Sequence, residues 1–235
     1  MKKYLALTLA VLMALTCVAL VACGDPCKDG HNFVEGVCTR CEAADPDYTP
    51  EGGETGAGNV YVDEEFVGTS IVGTGKVYLT TVGQADFDYA ETLLTDAVIG
   101  AGYTGATINN LLEASDVEAG STVIMVVGYT AKGIAPGITI SGETARAEAF
   151  AAKAGEINLI VLHLGGQGRR GDGTDPMVRA IVGAADYTFI YHDVAAPELG
   201  GDFDGLFTSL NQSELYMYAD ETEIAPALKV LLGVE

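Results

Sequence analysis

The chain has 235 residues, enough for one ordinary domain with attachments or for two small domains. Twelve Lys+Arg stand against 33 Asp+Glu, a formal net charge of −21. A field of that sign repels phosphate backbones and anionic head groups, which excludes general nucleic-acid binding and a basic membrane patch. Apolar residues make up 49% and charged residues 19%, so the chain can bury a core and is not disordered as a whole.

Lys2 and Lys3 precede an apolar stretch from Tyr4 to Ala22, the layout of an export signal over residues 1–22. The stretch ends Leu20-Val21-Ala22-Cys23-Gly24, which resembles the lipobox of bacterial lipoproteins. The resemblance implies cleavage before Cys23, diacylglycerol on its thiol, and a lipid-anchored place on the extracytoplasmic face of the bacterial cell envelope. The membrane is then a partner, each buried acyl methylene adding about 0.8 kcal/mol. A plain transmembrane anchor is the alternative for such a stretch. Cleavage would leave ten Lys+Arg against 33 Asp+Glu, a net charge of −23.

Residues 23–44 carry Cys27, His31, Cys38 and Cys41, spaced C-x3-H-x6-C-x2-C. Three thiolates and one imidazole fill a tetrahedral structural zinc shell with no open position. Gly36 suits the turn before the C-x2-C knuckle, and Phe33 and Val37 supply a minimal core. The segment resembles zinc-ribbon-like repeats of exported proteins of anaerobic bacteria, in which an acidic Asp-Pro-x-Tyr follows; here Asp45-Pro46-Asp47-Tyr48 stands in that place. A disulfide is the rival expectation in an exported chain. Cys17 leaves with the signal and lipidation consumes Cys23, so three thiols remain, an odd number. Residues 45–59 are rich in Pro, Gly and acids and read as a self-repelling flexible linker.

Residues 60–235 read as an α/β domain. Tyr61 to Val72 predicts an opening strand or hairpin. Strands are expected at 77–82, 107–112, 122–127, 157–164, 187–191 and 215–218, and helices at 87–101, 143–154, 175–184 and 224–232. Unbroken apolar strands alternating with helices predict a parallel sheet covered on both faces, a three-layer Rossmann-like or flavodoxin-like fold. Tyr216 and Tyr218 share one strand face and are expected to pack in the core or at an edge.

Ligands in such sheets sit beyond the carboxyl ends of the strands. Val82-Gly83-Gln84-Ala85-Asp86 follows the first main strand, with Asp86 a plausible helix cap. Gly128 to Gly133 follows the third, and His163-Leu164-Gly165-Gly166-Gln167-Gly168-Arg169-Arg170-Gly171 ends the fourth. Of the eight basic residues from Lys76 onward, Lys132, Arg169 and Arg170 fall on these loops. Gly83, Gln84, Lys132, Gly165, Gly166, Gln167, Arg169 and Arg170 therefore form the candidate pocket for a small anionic ligand. The alternative is a solvated Arg pair matched by Asp172 and Asp175.

Thr80 to Gln84, Val126 to Gly133 and His163 to Gly171 together resemble a family of exported bacterial α/β domains of unknown function. That resemblance implies the fold and no activity. No G-x-S-x-G elbow or Walker A sequence occurs. Three functions stay open: a lipid-anchored binding protein, an envelope interaction protein with a protein partner, and an enzyme with His163 or His192 as acid/base. A buried structural role is expected for His163.

Overall fold

The computed structural model describes residues 33–34, 37–38, 58–73, 75–95, 106–131, 137–192, 202 and 204–234. The chain divides into two compact units, 1–53 and 54–235. In the first, β1 (Phe33–Val34) pairs antiparallel with β2 (Val37–Cys38), Phe33 opposite Cys38.

The second unit is built on one seven-stranded parallel sheet. Its strands are β3 (Asn59–Val62), β4 (Val77–Val82), β5 (Ala106–Ile108), β6 (Thr122–Val127), β7 (Asn158–His163), β8 (Tyr187–Tyr191) and β9 (Glu214–Tyr218). They lie in the order β3-β9-β8-β7-β6-β4-β5. Counted from β4, this is the 2-1-3-4-5 order of flavodoxin-like domains, extended by a sixth strand and then by β3 at the far edge. Chain direction across the sheet reverses between β4 and β6, so the expected switch point lies there.

Alternate residues of each central strand enter opposite cores, as a pleated strand dictates. Val123, Met125 and Val127 of β6 and Leu159 and Val161 of β7 face one side. There they meet α2 (Ile140–Ala151), α3 (Asp175–Ile181) and α4 (Leu206–Leu210) through Phe150, Met177, Val178, Ile181 and Phe207. Ile124, Val126, Ile160, Leu162 and Phe189 face the other side. They meet α1 (Phe87–Leu94) and α5 (Ile224–Leu231) through Ala90, Leu93, Ile224, Leu228 and Leu231. These are the three layers of an α/β fold.

The opening strand is a single one, running parallel to β9. Tyr61 stacks on Tyr216 with ring centroids 4.4 Å apart, and Phe66 packs 5.0 Å from Tyr216. Tyr216 and Tyr218 are both buried. Burial pushes the Tyr216 hydroxyl up to about 12, so it stays protonated through the physiological range. Among the described residues no helix is long and apolar enough to cross a membrane.

Candidate functional site

The carboxyl ends of β4, β6 and β7 converge on loops that begin with glycine or reach it within two residues. Gly83 has φ +89°, and a Cβ there would lie 2.3 Å from the Gly128 carbonyl oxygen, so only glycine permits the approach of the two loops. The loops are stitched by Ala85 N–H to Gly128 O at 2.9 Å and Gly128 N–H to Val82 O at 3.1 Å. Gln84 and Asp86 follow with φ of +63° and +57°, left-handed conformations that non-glycine residues seldom adopt.

Asp86 stands at the N-cap position of α1, but its side chain caps nothing. Its carboxylate instead takes the inner edge of Arg169, with Nε donating to Oδ2 at 2.8 Å and Nη2 to Oδ1 at 2.9 Å. Gly165 is the floor of this pair. A Cβ there would lie 1.8 Å from Arg169 Cγ and 2.9 Å from Asp86 Oδ2. The Arg169 side chain is 37% exposed, and no partner takes its Nη1 among the described residues. The bond to Asp86 holds the guanidinium charged, raising its pKa further.

Arg170, the next residue, turns inward, and its side chain is 2% exposed. Nε donates to Asp175 Oδ1 at 2.8 Å, Nη2 donates to Asp204 Oδ1 at 3.0 Å, and the guanidinium carbon lies 5.4 Å from the Phe207 ring centroid. Burial would raise the Asp175 carboxyl, but Arg170 and the Gly171 N–H outweigh that and hold it below its ordinary value. Arg170 thereby ties the β7–α3 loop to the first turn of α3 and to the residue before the N-cap of α4.

His163 lies under these loops, fully buried. Nδ1 is 2.9 Å from Val127 O and Nε2 is 3.1 Å from Gly166 O. A neutral imidazole carries one N–H, so only one of these carbonyls receives a proton at a time. Burial pushes its pKa down, against the pull of the two carbonyls. With both nitrogens turned to the backbone, the ring braces the loop. His192, after β8, is held by Asp63, with Nε2 3.1 Å from each carboxylate oxygen.

At the switch point itself an internal carboxylate fills the crevice. Glu143, in the first turn of α2, accepts the Gly83 N–H at 2.7 Å and Gln84 Nε2 at 3.2 Å. Arg146 donates to it through Nε at 3.1 Å and Nη2 at 2.6 Å, and also bonds the carbonyls of Leu112 and Thr81. Burial favours the neutral acid, but Arg146 and Gly83 prevail and keep Glu143 below the usual carboxylate range. Both side chains are at most 6% exposed.

The structure thus brings Gly83, Gln84, Gly165, Gly166, Arg169 and Arg170 to one end of the sheet. Gly166 presents its carbonyl to His163, and Gln167 is exposed. Lys132 lies outside the described residues, as do Cys23, Cys27, His31 and Cys41. Asp172 is exposed; Asp175 does pair with Arg170, which also bonds Asp204, while Asp86 pairs with Arg169. The sequence reading passed over Glu143, Arg146 and Asp204. An acid and a base three apart near the predicted start of a helix was the available signal for the first two. A groove of about 770 Å³ flanks the start of α2, lined by Tyr129, Ile138, Ile140, Thr144, Glu148 and Pro176 among others. Among the described residues no cluster of three or more His, Cys, Asp or Glu is placed to hold a metal.

A parallel α/β sheet of flavodoxin-like order, with a glycine-floored Asp–Arg pair above its carboxyl ends, defines the class. The chain belongs to the family described as a domain of unknown function (DUF6305), which matches residues 74–225. That range contains β4 through β9 and the residues placed above at the carboxyl end of the sheet; Asp63, Cys23, Cys27, His31, Cys38 and Cys41 fall outside it. No curated protein and no solved structure matches the chain.

Proposed function

We propose that the protein is a lipid-anchored extracytoplasmic binding protein whose α/β domain holds a small anionic ligand on Arg169. One observation carries the reading: a guanidinium held above the strand carboxyl ends in a two-bond fork to one carboxylate, with its side chain more than a third exposed. A fixed guanidinium fork matches a carboxylate or phosphate in two parallel hydrogen bonds. Gly-rich loops supply close backbone approach, and the β6–α2 loop carries Lys132 as a second cation. Arg170 contributes by fixing the loop rather than by touching ligand.

The anchor follows from the signal and Cys23, and the linker gives the domain reach from the membrane. Structural zinc on Cys27, His31, Cys38 and Cys41 is part of the same proposal. The antiparallel β1–β2 pairing supports it, because it sets Phe33, two residues after His31 in sequence, opposite Cys38. Bound there, zinc would cross-link a segment too short to build its own core.

The test is a thermal-shift panel of organic and phosphate anions on the full-length protein. Stabilisation by a carboxylate or phosphate that disappears in Arg169→Ala is the expected result. No shift across the panel, or a shift unchanged in that variant, refutes the assignment.

A further inference from the structure

We infer that Asp86 is a built-in competitor for the ligand, occupying the Arg169 edge that an incoming carboxylate or phosphate takes, and that ligand binding transfers Asp86 to the N-terminus of α1. The inference rests on the Arg169 reading above and adds how that site is regulated.

Three observations converge on Asp86. Its backbone is left-handed at φ +57°, ψ +15°, although it is not a glycine. Such strain persists only where surrounding contacts enforce it, and it gathers at functional sites. Asp is also among the best residues at an N-cap, where a side-chain oxygen accepts the second or third helical N–H. Asp86 holds that position and forgoes the bond, its carboxylate being drawn to Arg169. Finally, the carboxylate lies close over two glycines. A Cβ on Gly165 would lie 2.9 Å from Asp86 Oδ2, and one on Gly128 would lie 3.6 Å from it. Glycine after β6 and β7 thus leaves a cradle above adjacent strand ends that the Asp86 carboxylate itself fills.

A ligand oxyanion entering this cradle makes the same two hydrogen bonds to Nε and Nη2 that Asp86 makes now. Release is offset because Asp86 stands at the N-cap, where a side-chain oxygen can accept the Asp88 N–H and the helix dipole favours a negative charge.

The test is calorimetric titration of the full-length protein with succinate and with inorganic phosphate, in the unaltered chain, Asp86→Asn, and Asp86→Asn/Arg169→Ala. Asparagine keeps the size and the capping ability of the residue, so the variant folds. Asp86→Asn is expected to bind roughly tenfold more tightly, the worth of removing one charged competitor, and the double variant is expected to lose that binding. In the unaltered chain, amide exchange at Asp88 is expected to slow when anion is added, as the freed carboxylate caps α1. Equal or weaker binding by Asp86→Asn, with the unaltered chain binding through Arg169, overturns the competitor role and leaves the proposed function standing. Tighter binding that survives in the double variant also overturns it, since the anion then sits elsewhere. Absence of binding in all three chains removes the Arg169 reading and this inference with it.

Discussion

Arg169 and Arg170 are neighbours in sequence, carry the same charge and sit at the same end of the sheet, yet the fold uses them in opposite ways. Arg170 is enclosed, held by two carboxylates and laid against Phe207, so it binds three chain segments together. Arg169 is held along one edge and is more than a third exposed. The difference arises from what lies beneath each side chain. Arg169 runs over the bare Cα of Gly165, whereas Arg170 turns toward the α3 and α4 termini, where Asp175 and Asp204 wait. Both arginines find carboxylates in this acidic protein. How much of the guanidinium remains for a ligand separates a site from a brace.

The sharpest way to break this comparison is to remove the brace. Arg170→Ala strands Asp175 and the Phe207 face, and is expected to cost about 3 kcal/mol of stability, the lower end of the range for breaking a buried pair because both acids are part-exposed. Urea unfolding measures it, and a loss below about 1 kcal/mol would equate the two arginines.

The pH dependence of the loop is next in size. His163 has a folded pKa depressed by burial, while the unfolded chain takes up its proton near the ordinary value of about 6.5. Stability from this group is therefore complete above that pH and falls as the solution is acidified below it. The slope is at most about 1.4 kcal/mol per pH unit. Unfolding midpoints between pH 8 and pH 5 should drop in the native chain and drop less in His163→Gln. Losses tied to Glu143 and Asp175 belong to a lower window, since both are held below the usual carboxylate range.

Smallest is the stability effect at Arg169. Arg169→Ala removes a part-exposed pair and is expected to change stability by about 0.5–1 kcal/mol, while abolishing anion binding. A larger loss would move Arg169 into the same structural class as Arg170.

The sheet was legible because its central strands are buried on both faces and read as unbroken apolar runs. β4, β6 and β8 fall on the residues expected from the sequence. The edges were harder. β5 ends at Ile108 rather than at Leu112, because Asn109 turns the chain and its Oδ1 accepts the Leu111 N–H at 3.0 Å. α2 begins at Ile140, three residues before the expected start. Thr139 caps it through the Gly142 N–H at 3.0 Å, and neither Ile140 nor Gly142 advertises a helix. The location of the site was legible too, from glycines and basic residues grouped after strands. Its pairing was not: Asp86 and Arg169 are 83 residues apart, and nothing local distinguishes a capping Asp from one pulled across to an arginine.

The most direct measurement follows the arginine Nε–H NMR signals while inorganic phosphate or succinate is titrated into the protein. The account predicts that the Arg169 signal shifts and saturates while the Arg170 signal stays in place. A stationary Arg169 signal through saturating anion, or a shift confined to Arg170, would contradict it.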